Sequence, residues 1–226
     1  SSALAGPLFT VVASVSGFAT QTNLSNGLST EEVGRYSYVG GLTAGPSRSW
    51  FIDWDVLGDD TTAVPAATFV TNGFTITNAG TTSRTFDITV SLATPLTNPG
   101  QLSCFGNLSG TLTSDNGSLA TVTALSPALW QGQVNGVTKL TLNPTVPNTM
   151  TTTVFGPVSG TWTGAVPGGP NVQTVGYQMK FTLSANSTVQ FSGLWSGTAA
   201  VPAPGACTMI LAAAGLGSTR RRRNMT

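Results

Sequence analysis

The residues that could do chemistry in this chain are few, and the densest group is acidic: Glu31 and Glu32, then Asp53, Asp55, Asp59 and Asp60. Asp53 and Asp55 stand two apart in Phe51-Ile-Asp-Trp-Asp-Val56, an alternating run that reads as a strand. That spacing puts both carboxylates on one face, roughly 7 Å apart, with Ile52, Trp54 and Val56 on the other. A carboxylate pair is the least that glycoside hydrolysis needs. Joined by Asp59 and Asp60 from the following turn, the pair would suit Ca2+, which takes carboxylate, carbonyl and water oxygens. A solvated strand face explains the pair equally well, so no catalytic, cofactor or metal residue is assigned, and Ca2+ at these four aspartates is held as an alternative only. The chain contains no histidine, which removes Ser-His-Asp and Cys-His hydrolysis and histidine metal sites. The expectation is a protein that is not an enzyme.

Two further residue types need weighing. Trp50, Trp54, Trp130, Trp162 and Trp195 could stack on sugars. Each lies in an apolar alternating run, however, where a core position is the ordinary outcome, and polysaccharide binding is kept as the second reading. Cys104 and Cys207 are the two thiols. In an oxidising compartment they could form a disulfide within one chain, tying the end of the chain beside 101–103, or between chains, or they could remain free.

Charged residues make up 8% of the 226, while Gly, Thr, Ser and Asn fill the polar positions. Net charge is +1, and without the four arginines at 220–223 it becomes −3. The remaining cations are scattered among eight acids, so no basic patch offers itself to nucleic acid. Hydroxyl-rich, low-charge alternating segments are the style of surface-exposed β-proteins.

The end of the chain has three parts in a fixed order. Val201, Pro202, Ala203, Pro204 and Gly205 form a breaker, 206–218 is a small and apolar run, and Arg220, Arg221, Arg222 and Arg223 follow. Arginines in such a block stay on the cytoplasmic side of a membrane. As a helix the run would span roughly 20 Å, short of the ~30 Å hydrocarbon core, so it reads as a transient stop during export. The arrangement resembles the PEP-CTERM sorting signals of Gram-negative bacteria, in the Val-Pro-Ala-Pro-Gly form of planctomycetes. Ala203 departs from the glutamate of the family's name, and Cys207, Thr208 and Met209 make the run less greasy than usual. The resemblance implies Sec export, an exosortase-type membrane cysteine protease as processing partner, and a secreted product at the cell surface or outside it. The start, Ser1-Ser2-Ala3 without Met, fits a chain numbered from a removed signal peptide.

The body carries a second, weaker resemblance. Phe74-Thr-Ile-Thr-Asn-Ala-Gly80, Phe86-Asp-Ile-Thr-Val-Ser-Leu92, Gly110-Thr-Leu-Thr113 and Phe181-Thr-Leu-Ser-Ala-Asn186 before Phe191-Ser-Gly193 look like a β-rich domain frequent in PEP-CTERM proteins. It implies a surface or matrix protein and brings no catalytic residues.

Period-two alternation predicts strands near 8–16, 34–40, 48–57, 67–77, 83–93, 101–113, 118–125, 130–142, 150–163, 173–184 and 187–200. Asn78-Ala-Gly80 and Ser114-Asp-Asn-Gly117 should each close a hairpin. In the strand after the first turn, Phe86, Ile88 and Val90 should face the core and Thr85, Asp87 and Thr89 the solvent. The fold class is therefore all-β: a single β-sandwich of Greek-key or jelly-roll type over 1–200, with an apolar C-terminal segment in a sorting tail at 201–226. Segment 1–16 is read as a donor or edge strand. The functional expectation is a structural subunit that assembles with copies of itself, as a filament or sheath, through apolar terminal segments. The alternatives are a carbohydrate-binding module and an exported monomer awaiting processing.

Overall fold

Alternating apolar and hydroxyl-bearing residues put most of this chain into strands. The computed structural model describes residues 6–30, 34–44, 48–61, 67–96, 101–166 and 171–199. Among them run β1 (Leu8–Val15), β2 (Gln21–Asn26), β3 (Leu28–Ser29), β4 (Arg35–Thr43), β5 (Phe51–Thr61), β6 (Ala67–Asn78) and β7 (Arg84–Leu96). They are followed by β8 (Gln101–Ser114), β9 (Val122–Ala124), β10 (Trp130–Val134), β11 (Val137–Leu142), β12 (Thr152–Ala165), β13 (Val172–Leu183) and β14 (Ser187–Ala199). No helix occurs among the described residues.

The strands form two antiparallel sheets packed face to face. The first has the order β11-β10-β13-β7-β1-β2, with β9 also on β13; the second is β12-β8-β14-β6-β5-β4-β3. Alternate side chains of both sheets meet in one core. Phe86, Ile88 and Val90 are fully buried, as their phase requires, and Asp87 on the opposite face pairs with Lys180 at 3.3 Å. Phe86 stacks on Phe181 with centroids 5.6 Å apart and meets Trp50 edge-on at 6.5 Å.

Strands β6 to β9 and β11 to β14 alternate between the layers, whereas β3 to β6 and β9 to β11 each stay within one sheet. β13 lies between β7 and the β9–β10 edge of the first sheet. Its successor β14 lies between β6 and β8 of the second. The last strand pair of the described chain is thus inserted into the middle of both sheets. Asn78 holds this arrangement. It is 0% exposed, and its amide donates to Thr82 O, Leu183 O and Ser184 O at 2.9–3.1 Å while its Oδ1 accepts from Gly80 N at 3.2 Å. One side chain thereby joins the β6–β7 crossing to the β13–β14 crossing.

Four sequence expectations are corrected. Asn78-Ala-Gly80 and 114–117 do reverse the chain, but neither closes a hairpin, because β6 and β7 lie in different sheets and so do β8 and β9. The single strand expected at 130–142 is two strands, β10 and β11, turned at Asn135-Gly136 with φ of 50° and 72°. An Asn-Gly pair with both residues at positive φ is the commonest tight hairpin turn, and that signal was present in the sequence. Strands β2 and β3 were not anticipated, since Gln21-Thr-Asn-Leu-Ser-Asn26 has no clear apolar alternation. Finally, β1 is neither a donor nor an edge strand. It is hydrogen-bonded to β2 on one side and β7 on the other, and Phe9, Val11, Ala13 and Val15 are 0–3% exposed within their own chain.

Replacing Phe86 with Asp should unfold the body, because an unpaired charge would be forced into the core, whereas Thr89→Asp should change stability by no more than about 1 kcal/mol. Asn78→Ala strands several buried backbone groups at once and should cost roughly 2–4 kcal/mol in denaturant titration. A near-neutral Asn78→Ala would show that the two crossings hold without the clamp.

Candidate functional site

The carboxylate pair singled out in the sequence does sit on a strand face. In β5, Ile52, Trp54 and Val56 are 0–3% exposed and turn inward, leaving Asp53 and Asp55 exposed on the outer face of the second sheet. Asp53 stands opposite Gly41 of β4 and Thr75 of β6, and Asp55 opposite Val39 of β4. The row continues across the sheet from Thr75 to Gln190 of β14 and Thr111 of β8. Val39, Asp53, Asp55, Thr75, Gln190 and Thr111 of this row line a shallow open trough of about 530 Å3.

A break in the ladder shapes its floor. β5 and β6 pair along 51–54 with 74–77 and again along 58–61 with 67–70, but the ladder is open between 55–57 and 71–73. Gly73 approaches the strand so closely there that a Cβ would collide with the Asp55 carbonyl oxygen. Thr71 fills the gap from both sides. Its Oγ1 accepts the Leu57 N–H at 2.7 Å, and its carbonyl accepts the Tyr177 hydroxyl from the opposite sheet at 3.1 Å. Tyr177 is fully buried, and burial pushes its hydroxyl well above the usual phenol pKa, so it stays a donor. The break is thus stitched into the core and is not a loose segment.

The other acids lie elsewhere in the sequence of elements or outside the described residues. Asp59 and Asp60 belong to β5 itself and not to a turn after it. With ~3.3 Å per residue, the backbone at Asp59 lies roughly 13 Å along the strand from that at Asp55. The expected turn at 59–60 is thus corrected to strand, and the side chains of Asp59 and Asp60 lie outside the described residues. Among the described residues no three of His, Cys, Asp and Glu gather in one place. Glu31 and Glu32 lie outside the described residues.

Trp50, Trp54, Trp130 and Trp195 are 0–3% exposed and belong to the core, so none forms a sugar-stacking platform. Trp195 also ties the two sheets by donating its indole N–H to Gln133 O at 2.9 Å. Trp162 of β12 is half-buried, with the Lys139 ammonium of β11 over its ring at 4.9 Å.

Cys104 is a free thiol, 1% exposed, in phase with Leu102 and Leu108 on the inner face of β8. That phase was legible in Leu102-Ser-Cys-Phe-Gly-Asn-Leu108. Burial pushes the thiol up to about 12, with nearby Lys139 opposing the shift. Cys207, the breaker Val201, Pro202, Ala203, Pro204, Gly205 and the arginines Arg220, Arg221, Arg222 and Arg223 lie outside the described residues.

No family model and no curated protein matches this chain. Among solved structures, a cyclase from Fischerella sp. TAU shares 11% identity over 74% of this chain and 77% of its own, with a TM-score of 0.28. An apo form cyclase from Fischerella sp. shares 8% identity over 74% of this chain and 89% of its own, with a TM-score of 0.29. Likenesses at this level carry no argument about chemistry.

Native protein should alkylate at Cys104 far more slowly than unfolded protein. With a pKa of about 12 only ~10⁻⁴ of the thiol is thiolate at pH 8, against roughly a quarter for an ordinary cysteine. Peptide mapping after a timed pulse of iodoacetamide measures this, and rapid labelling of Cys104 in the folded state would show that the inner face of β8 opens to solvent.

Proposed function

We propose that this protein is a non-enzymatic structural subunit, exported to the cell surface or the extracellular matrix and assembling there with copies of itself. The observation that carries the reading is the character of the outer sheet faces. They present hydroxyls, amides and glycines with few charges, so that like subunits can approach without electrostatic repulsion. Cross-strand hydroxyl pairs, such as Thr77 with Thr188 at 2.9 Å and Thr85 with Thr182 at 3.1 Å, add lateral bonds to the ladders. The tail at 201–226, with its resemblance to a PEP-CTERM signal, supports export and an exosortase-type processing partner. Self-assembly through the N-terminal strand forms no part of the proposal, since β1 is already paired on both sides.

The second reading is a polysaccharide-binding module, favoured by the trough at Asp53, Asp55, Thr75, Gln190 and Thr111. Its polar rim could accept and donate hydrogen bonds to sugar hydroxyls, with Trp54 beneath as a fluorescent reporter.

Electron microscopy and sedimentation of the mature native protein separate the readings. Assembly predicts ordered polymers and no saturable change in tryptophan fluorescence on adding polysaccharide. A monomer whose fluorescence saturates with polysaccharide, and whose response is lost in Asp53→Asn with Gln190→Ala, would replace assembly with sugar binding.

A further inference from the structure

Edge strands expose unpaired backbone donors and acceptors, and proteins usually shield them with charges, prolines, bulges or short length. Among the described residues the strands bonded on one side only are β2, β3, β9, β11 and β12, and all of them but β12 are short or carry a charge. β3 has two residues, β2 has six, and β11 has six including Lys139. β12 is different. It has 14 residues, none of them charged, and among the described residues it is bonded to β8 on one side only. A bulge between Phe155 and Val158, at Pro157, divides it and leaves 158–165 as an uninterrupted edge.

The sequence of this edge is a near palindrome. Gly156-Pro-Val-Ser-Gly-Thr-Trp-Thr-Gly-Ala-Val-Pro-Gly168 reads the same in both directions about Trp162, save for Ser159 against Ala165. Two copies of one strand paired antiparallel about a two-fold axis place residue i opposite a partner equally far on the other side of the axis. With the axis at Trp162, Thr161 meets Thr163, Gly160 meets Gly164 and Val158 meets Val166. Trp162 meets its own copy. A palindromic strand is one whose every cross-strand contact in that arrangement is like with like, matched in size and in branching. Pro157 and Pro167 bracket the segment, and a proline has no N–H to continue a ladder beyond it.

We propose that the bare edge of β12 is the docking strand for a second copy of this chain, the two β12 strands pairing antiparallel about a two-fold axis at Trp162. The proposal rests on the self-assembly reading and names one of its contacts. Threonine opposite threonine is a pairing this fold already uses within the chain, at Thr77–Thr188, Thr85–Thr182 and Thr113–Thr152, with Oγ1 atoms 2.9–3.3 Å apart. The pairs at Thr161 and Thr163 would repeat it on the outer, solvent-facing side of β12. On the inner side, Lys139 lies over the Trp162 ring and the β11 side chains Leu140 and Leu142 pack against Gly160, so the edge is held in place by its own sandwich. The joined strands would make one continuous sheet across two subunits.

The test is a charge series on full-length protein, read by sedimentation at micromolar concentration. Thr161→Lys with Thr163→Lys sets lysine opposite lysine twice and should raise the dissociation constant of the pair at least ~10-fold. Thr161→Lys with Thr163→Glu sets lysine opposite glutamate twice and should restore the wild-type constant, a rescue that only this register provides. If wild-type chains associate and the double lysine variant associates equally well, self-assembly stands and the β12 contact is wrong. If wild-type chains stay monomeric, both are wrong. Should the double lysine variant fail to fold, amide hydrogen exchange of wild-type 158–166 decides: protection that is lost on dilution supports the pairing, and equal exchange at all concentrations overturns it.

Discussion

The sandwich depends on one buried amide. A jelly-roll crossing obliges the chain to leave one sheet and enter the other, and the backbone of the crossing loses its ladder partners as it does so. β13 and β14 make their crossing beside that of β6 and β7, so two such sites fall side by side in the interior. Asn78 answers both, donating to carbonyls at Thr82, Leu183 and Ser184 and accepting from Gly80. Apolar side chains could fill the same volume, but they would leave these groups unpaired, and an unpaired buried polar group costs more than packing returns. Both crossings by which the last strand pair enters the centre of the sheets are thus satisfied at a single position.

A second constraint shapes the outer face. The β5–β6 ladder is open opposite Asp55, and Thr71 converts the opening into a cross-sheet tie through Leu57 on one side and Tyr177 on the other. The trough at Asp53 and Asp55 is the surface expression of this stitch. It accounts for the low floor at Gly73, where no side chain fits.

Charge is scarce enough that where it is missing carries information. Asp87 and Lys180 neutralise one another across β7 and β13, and Lys139 lies on an indole ring. The β12 edge has neither a charge nor a proline within 158–165, although such devices are how edges are kept from pairing. Its near-palindromic order about Trp162 turns that omission into a self-complementary surface.

The sequence by itself determined which side chains face inward. Phe86, Ile88 and Val90, the inward side of β5, and Cys104 in phase with Leu102 and Leu108 all follow from a period of two, which depends only on local backbone geometry. Most strand positions followed for the same reason, and β2 and β3 escaped because their polar residues carry no apolar phase. The missing histidines and scarce charges likewise narrowed the chemistry before any strand was placed. Tertiary structure alone decided which strand lies beside which. The reversals at Asn78 and at 114–117 are written in turn residues, yet a turn does not specify whether the next strand returns to the same sheet or crosses to the other. Nor does alternation show that β1 is flanked on both sides or that Asp59 and Asp60 continue β5 away from Asp53 and Asp55. Every strand offers the same backbone donors and acceptors, so pairing is settled only when distant segments compete for them and for a place over the shared core.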